Sequence, residues 1–471
     1  MLIIVSDLHL ADGTSGGTAH EGSFRLFRER LRALAYAASW RADGKYKPIE
    51  ECHVVLLGDI LDVLRSSEWF KPSLGATVIV RPWDSHDSPP FISKIHTITE
   101  KILSRNAVFF AMMRELRGTS VISVPPATHD GRPLQSQGAR ERVDRVRVNV
   151  RIHYMVGNHD WFYHLPHPAY SGIRRTIVET LGLENDPCQP FPHDPEEPAA
   201  NSVLEAFSQH RVFARHGDIF DPVNFEGDRD RSSLGDSIAV DLVTRFAVEV
   251  KARLGESLSP ECLAGLNEID RVRPRLLAPV WAGGILRRLC GDPKLRRKVQ
   301  EAWNDLAEQW VKTPFVRERL SSRRQFRAGR RLQLALTLSK RLMLADSSPW
   351  ICWLAGKLGN STKSYFPHAL EERWFRQHRA QFIVYGHTHH HEVVGLNSVA
   401  AGEGQLDQMY INSGTWRPIH ELAKYRPGRE AFVGYNTMTY LAFFKDDERS
   451  GRKFECWTGG LSGSAWKALG S

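Results

Sequence analysis

Runs of aliphatic and β-branched residues that break abruptly into short polar clusters recur five times along the chain. Residues 2–6 form such a run, and residues 53–57 repeat it before Gly58-Asp59. Residues 148–156 do so before Gly157-Asn158, residues 211–215 before His216, and residues 382–385 before Gly386-His387. Apolar runs of this length bounded by turn residues predict buried strands. Stretches of helical period lie between them, at 23–38 and 91–116. Strands alternating with helices predict a layered α/β architecture. In such sheets ligands bind in loops beyond the strand C-termini, which is where the polar clusters fall.

Residues 66–90 and 118–140 are rich in Pro, Ser, Gly and charge and read as surface loops. A larger interruption runs from 231 to 375. It opens with Ser233-Leu234-Gly235-Asp236, a helix-start signal. Ile238, Leu242, Phe246, Val250 and Leu254 then recur every four residues, one apolar stripe of an amphipathic helix. Further helical patterns occupy 293–311 and 317–344. The expectation is an all-α cap at 231–375, inserted between the two parts of an α/β core at 1–230 and 376–471. Beyond Gln381, strands are expected at 408–412, 437–444 and 453–457, completing a second sheet.

Composition changes this picture little. A hydrophobic content of 42% with 25% charged residues is ordinary for a soluble globular chain. The six cysteines are scattered without a CxxC pair, which argues against a disulfide framework or a cysteine-ligated zinc. The longest uncharged apolar stretch, 276–286, is too short to span a bilayer. The Met1-Leu2-Ile3-Ile4-Val5 start lacks the features of a secretory signal, so the expected location is cytoplasmic.

Charge changes the picture more. The net charge is +9, yet residues 287–341 hold 16 Lys/Arg against 5 Asp/Glu, so the basicity belongs to the cap. Its carriers are Arg287-Arg288, Arg296-Arg297-Lys298, Arg323-Arg324, Arg327 and Arg330-Arg331. Three readings stay open. The segment binds nucleic acid phosphates; or it orients a nucleotide, pyrophosphate or anionic lipid head group; or it is a solvated face that packs on acidic partners. Peripheral membrane contact is a variant of the second, with 276–286 and the following arginines as an amphipathic anchor. Trp303, Trp310 and Phe315, interleaved with the charges, read as core or as a stacking platform.

The chemistry lies in five clusters: Asp7-Leu8-His9, Gly58-Asp59-Ile60-Leu61-Asp62, Gly157-Asn158-His159-Asp160, His216-Gly217-Asp218 and Gly386-His387-Thr388-His389. Each alone is weak; five in this order, each ending a predicted strand, point to one centre. Two divalent cations about 3.5–4 Å apart can activate water and clamp both ends of a phosphoryl displacement. Borderline metals such as Mn, Fe or Zn favour mixed imidazole and carboxylate shells, with an amide oxygen as a neutral ligand. Glycines beside the ligands allow sharp turns and close approach. Asp62, Asp218 and Asp221 read either as holders of ligand imidazoles or as surface and capping carboxylates. His390 and His391 read as substrate contacts or as exposed loop residues. Trp161, Phe162, Tyr163 and His164 line a pocket or pack in the core.

The five clusters resemble the D-x-H, G-D-x-x-D, G-N-H-D, H-G-x and G-H-x-H motifs of the calcineurin-like metallophosphoesterase family, over 1–230 and 376–460. The resemblance implies a four-layer αββα sandwich. It implies one metal on Asp7, His9 and His389, a second on Asn158, His216 and His387, and Asp59 bridging them. It further implies a hydroxide nucleophile between two divalent ions, Mn foremost with Fe or Zn as alternatives. His159 would stabilise phosphoryl oxygens or protonate the leaving oxygen, with Asp160 orienting it. The reaction implied is hydrolysis of a phosphodiester or phosphoanhydride, in a nucleotide-type or pyrophosphate-containing small molecule. A nuclease working through the basic cap and a non-catalytic metal-binding scaffold are the alternatives. Within the family, the chain is most similar to the UDP-2,3-diacylglucosamine hydrolase-like branch. The carriers are His216-Gly217-Asp218-Ile219-Phe220-Asp221, Gly386-His387-Thr388-His389 and Tyr410-Ile411-Asn412-Ser413-Gly414-Thr415-Trp416. That branch also places a helical lid between its fourth and fifth motifs. Its lipid A enzyme carries Arg where this chain has His159 and has a far smaller lid, so the resemblance implies the reaction rather than the substrate.

Overall fold

Each of the five apolar runs forms a strand. The computed structural model describes residues 1–16, 21–73, 75, 77–118, 121–134, 144–273, 277–321, 336, 339, 364–401, 404–422 and 432–461. Its strands are β1 (Leu2–Val5), β2 (Glu51–Leu57), β3 (Ser123–Val124), β4 (Val146–Arg147), β5 (Asn149–Met155), β6 (Val212–Ala214), β7 (Val272–Arg273), β8 (Phe382–Tyr385), β9 (Glu392–Ala401), β10 (Gly404–Asn412), β11 (Pro418–Leu422), β12 (Phe432–Phe443) and β13 (Phe454–Leu461). One mixed sheet runs β5-β2-β1-β12-β11-β7, with β13 on β12; a second runs β6-β8-β10-β9; β3 and β4 form a separate pair. β5, β2 and β1 are mutually parallel, as are β6, β8 and β10. Their C-terminal ends therefore come together in two bundles of loops.

Alternation across the pleat fixes how the sheets stack. Leu2, Ile4, Val55, Leu57, Leu441 and Phe443 share one buried cluster with Val212, Ala214, Phe382, Val384 and Ile411 of the second sheet. Ile3, Val5, Val54 and Leu56 point the other way, onto the helices Glu21–Ala38, Pro89–Arg105, Ala107–Gly118 and Tyr170–Leu181. Behind the second sheet, Ile383, Tyr385 and Tyr410 pack on Trp374 and Phe375 of the short helix Arg373–Arg376. The result is an α/β sandwich of two stacked sheets with helices on both outer faces. A fully buried aliphatic side chain contributes about 1.5–3 kcal/mol, and β1 and β2 bury such side chains on both faces.

The structure departs from the sequence expectations in three places. The helix expected over 91–116 is two helices, broken at Asn106, whose Nδ2 donates to the carbonyls of Ala11 and Ile102 at 3.0 and 2.8 Å. Of the late strands, β10 alone joins the second sheet. β12 instead pairs antiparallel with β1, and β13 with β12, because their apolar residues fill both faces of the first sheet.

The insertion is not purely helical, the third departure. Val272–Arg273 pairs in parallel with β11, with Val272 opposite His420, so the insertion extends the core sheet. Its apolar stripe is borne out at Leu242, Phe246, Val250 and Leu254, all buried. A strict four-residue repeat outruns the 3.6-residue α-turn; the π-helical stretch Ile238–Thr244, with more residues per turn, absorbs the drift. Trp303 and Trp310 are core residues here, and Phe315 packs against this core and stacks on Trp83. The helix expected over 317–344 lies almost wholly outside the described residues, as do Arg323, Arg324, Arg327, Arg330 and Arg331. Among the described residues no helix is long and apolar enough to cross a membrane.

Candidate metal centre

The polar clusters meet where the two loop bundles face each other. The first two loops are knitted beyond their strands: the amides of Asp7 and His9 donate to the carbonyls of Gly58 and Asp59 at 3.1 and 2.8 Å. The fourth and fifth are joined by the Gly386 amide on the His216 carbonyl at 2.8 Å. His387 N donates across to Asp7 Oδ2 at 3.2 Å, closing the two halves on one another. Three glycines allow this closeness. A Cβ on Gly58 would lie 2.6 Å from His216 Nδ1, one on Gly157 would strike the Asp59 carboxylate, and one on Gly386 would lie 2.6 Å from Asp7 Oδ2.

The same crowding strains the candidate ligand residues. Asp7, His9, Asp59, His387 and His389 all adopt left-handed backbone conformations, with φ of 54°, 47°, 54°, 66° and 60°. They are half of the ten non-glycine residues with positive φ among those described. Such conformations cost about 1–3 kcal/mol each and persist only where the surroundings impose them.

The side chains fall into two groups with one member in common. Asp7, His9, Asp59 and His389 bring ligand-type atoms within 4.8 Å of one another, and so do Asp59, His216 and His387. His9 Nε2 lies 3.0 Å from His389 Nε2 and 3.5 Å from Asp59 Oδ2; His389 Nε2 lies 3.2 Å from Asp7 Oδ1. His216 Nε2 lies 3.3 Å from the same Asp59 Oδ2. Asp7 Oδ1, Asn158 Oδ1 and His216 Nε2 are buried and have no hydrogen-bond partner among the described residues. Buried polar atoms left without partners cost about 1–3 kcal/mol each. Atoms of this kind, aimed together around a shared carboxylate, fit divalent cations.

The electrostatics agree. Burial alone would raise Asp59, but His216 and His159 outweigh it and hold the carboxyl well below the usual range. Burial opposes charge on His216 as well, yet Asp59 and Asp7 hold it well above its ordinary value. Burial pushes Asp7 up to about 6. Burial, with Arg417 adding to it, pushes His9 down to about 4. The centre thus keeps Asp59 ionised and asks for positive charge beside it.

Around this set stand residues that orient it. Asp62 is buried and holds two rings, His9 Nδ1 at 3.0 Å and His159 Nδ1 at 2.7 Å. Asp221 reaches His387 Nε2 at 3.3 Å. Asp218 instead takes Arg229 at 2.6 Å, and Arg229 donates on to the Gly157 carbonyl at 3.3 Å. Asp160 does not orient His159, contrary to expectation. Its carboxylate accepts from the amides of Gly157 and Ile60 at 2.6 and 2.8 Å and from the Tyr154 hydroxyl at 2.6 Å. It is a buried clamp for the third loop. Trp161, Phe162 and Tyr163 are core, while His164 stands at the rim. His391 Nδ1 donates to the Asn412 carbonyl at 2.8 Å, and His390 is exposed.

Sequence reasoning missed a set of arginines on the His389 side. Arg273, in the insertion's own strand, places its Nη2 2.7 Å from His389 Nδ1. Arg65 lies 3.1 Å from Asp270, and Arg417 pairs with the same carboxylate. Arg65 and Arg417 are buried. No motif marks these four residues; they meet only because β7 docks on β11. The basic residues that drew attention in sequence, Arg288, Arg297 and Lys298, are exposed on helices of the insertion.

No protein-family model matches the chain, and no curated protein matches it.

Proposed function

We propose that this chain is a dinuclear metal-dependent phosphoesterase of the calcineurin-like type, hydrolysing a phosphodiester or phosphoanhydride. The observation that carries the reading is Asp59, the one carboxylate common to both ligand groups. The stacked-sheet sandwich with helices on its outer faces is the layer order that the family resemblance implies. Asp7, His9 and His389 would hold one ion, Asn158, His216 and His387 the other, with Asp59 between. When bound, two such ions supply Lewis acidity at the phosphorus and lower the pKa of an attacking water.

The chain's own residues supply the rest. Asp62 accepts from Nδ1–H of His159 and so would favour the imidazolium form, whose second proton, on Nε2, is the one to pass to the leaving oxygen. Arg273 adds positive charge on the His389 side of the site, suited to a second phosphate or other anionic group. That supports a nucleotide-type or pyrophosphate-containing substrate.

The test is a chelator-stripped chain reloaded with Mn and offered monoesters, diesters, nucleotide pyrophosphates and polynucleotides. Turnover of a diester or pyrophosphate is expected, and Asp59→Asn is expected to abolish it. Near-normal rates in that variant, or an inert Mn-loaded wild type, would overturn the proposal.

A further inference from the structure

Away from the centre, His164, His193 and Glu197 converge, with ligand-type atoms all within 4.8 Å of one another. His164 closes the one-turn helix Trp161–His164, directly after the third loop. The three aromatics before it are buried, which leaves its ring at the rim of the core. His193 and Glu197 sit four residues apart in a turn, where the Glu197 amide donates to the Asp194 carbonyl at 3.2 Å. The turn folds Glu197 back so that its Oε2 accepts from the His193 amide at 3.3 Å. Asp230, from the segment where the insertion begins, stands behind His164 with Oδ1 at 2.7 Å from Nδ1.

The lone pairs are arranged for a cation. An ionised carboxylate only accepts, so Asp230 fixes the His164 proton on Nδ1 and turns the Nε2 side of the ring toward Glu197, 3.5 Å away. A carboxylate behind an imidazole in this way is the usual support of a metal-bound histidine. His193 Nδ1 is buried and lies 2.5 Å from Glu197 Oε1, yet it forms no hydrogen bond of acceptable geometry. The two rings stand edge to face with centroids 5.0 Å apart. Two imidazole nitrogens and a carboxylate, with a position left open, make a zinc-type set.

We propose that His164, His193 and Glu197 form a separate divalent-cation site of zinc type, with Asp230 as the positioning residue behind His164. Its place in the fold gives it a bracing role. It joins the end of the third loop to the 193–197 turn. That turn also carries Asp194, paired at 3.0 Å with Arg215, the neighbour of His216. Through Asp230 it also ties down the start of the insertion. A cation here would hold three segments in register beside the centre without touching the reacting atoms. The assignment does not depend on the reading of the centre itself.

The full-length chain, stripped with chelator, is reloaded with zinc alone and dialysed, and bound metal is counted by mass spectrometry. Wild type is expected to hold one equivalent more than His193→Ala and one more than Glu197→Gln. The same difference is expected between Asp59→Asn and the double variant Asp59→Asn/Glu197→Gln, so a failed dinuclear reading would leave this result standing. Zinc is also expected to raise the unfolding midpoint of wild type more than that of Glu197→Gln, which keeps the side chain's size should His193→Ala fold poorly. Equal zinc content in wild type and Glu197→Gln would overturn the proposal and leave a hydrogen-bonded ionic cluster.

Discussion

Replacing Asp62 by asparagine keeps the shape of a buried side chain and removes one of its two acceptor positions. In the native protein, Oδ2 serves His9 Nδ1 at 3.0 Å and Oδ1 serves His159 Nδ1 at 2.7 Å. Burial opposes the charge on Asp62, but His159 and His9 together hold the carboxyl far below the usual range, so both bonds are charge-assisted at neutral pH. An asparagine presents one oxygen and one NH2. One of the two rings must therefore accept at Nδ1 and carry its proton on Nε2. For His9 that proton would point at Asp59 and His389, where the ligand lone pair belongs. For His159 it would lose the support that orients the ring.

Each charge-assisted bond contributes about 1.5–3 kcal/mol, and losing the carboxylate behind a ligand histidine costs about 10–100-fold in metal affinity or activity. The expected outcome is a loss of that size in one of two separable quantities. Calorimetric titration of the stripped chain with Mn reports the His9 arm. Steady-state hydrolysis of bis(p-nitrophenyl) phosphate at saturating Mn reports the His159 arm, as a fall in kcat. Far-UV circular dichroism checks that the fold is intact. Unchanged Mn affinity together with unchanged kcat would refute the reasoning, because no arrangement of an asparagine satisfies both rings as drawn.

Two further outcomes follow from other parts of the molecule. Burial, with His53 and Arg151 adding to it, pushes His153 down to about 3. Its folded pKa is thus depressed, so its contribution to stability is complete above the unfolded value of 6.5 and is lost as pH falls toward 3. At pH 5 the loss is about 2 kcal/mol, and His153→Asn should shrink the pH 7-to-5 drop in urea-derived stability by about that much; an identical drop in both proteins counts against it. Arg273→Ala removes the guanidinium beside His389 Nδ1; on the proposed function, losing a charge-assisted contact of about 1.5–3 kcal/mol should lower kcat/KM for a pyrophosphate-containing substrate about tenfold or more. Unaltered kinetics on that substrate would remove Arg273 from the site.

What could be read in the sequence was whatever local pattern encodes. The five core strands β1, β2, β5, β6 and β8 announce themselves because both faces are buried, which makes their apolar runs continuous. The ligand positions follow, since each run ends on a glycine-bearing or charged cluster. The sheet partners of β12 and β13 could not be read, because an alternating strand fits either sheet until its cross-strand neighbours are known. The His159 partner was misassigned for a related reason. Asp160 is adjacent in sequence, whereas Asp62 is 97 residues away and reaches the ring only through the packing of β2 beside β5. Arg273, Asp270, Arg65 and Arg417 belong to the same class of long-range meeting. The two-residue strand β7 has no periodicity to reveal it.

The insertion bears directly on the centre. Connectivity alone places it beside the site, since the chain leaves the core after the fourth loop and returns for the fifth. Its charge pattern directed attention to solvent-facing arginines, but its point of entry is Arg273, in the strand that docks on β11. Docking of β7 fixes Asp270 between Arg65 of the core's second loop and Arg417, the residue after Trp416. One carboxylate from the insertion therefore pairs with arginines from both parts of the core. A left-handed backbone at five candidate ligand residues and three ligand-type atoms unpartnered among the described residues make the centre costly to hold open. The insertion is part of what holds it.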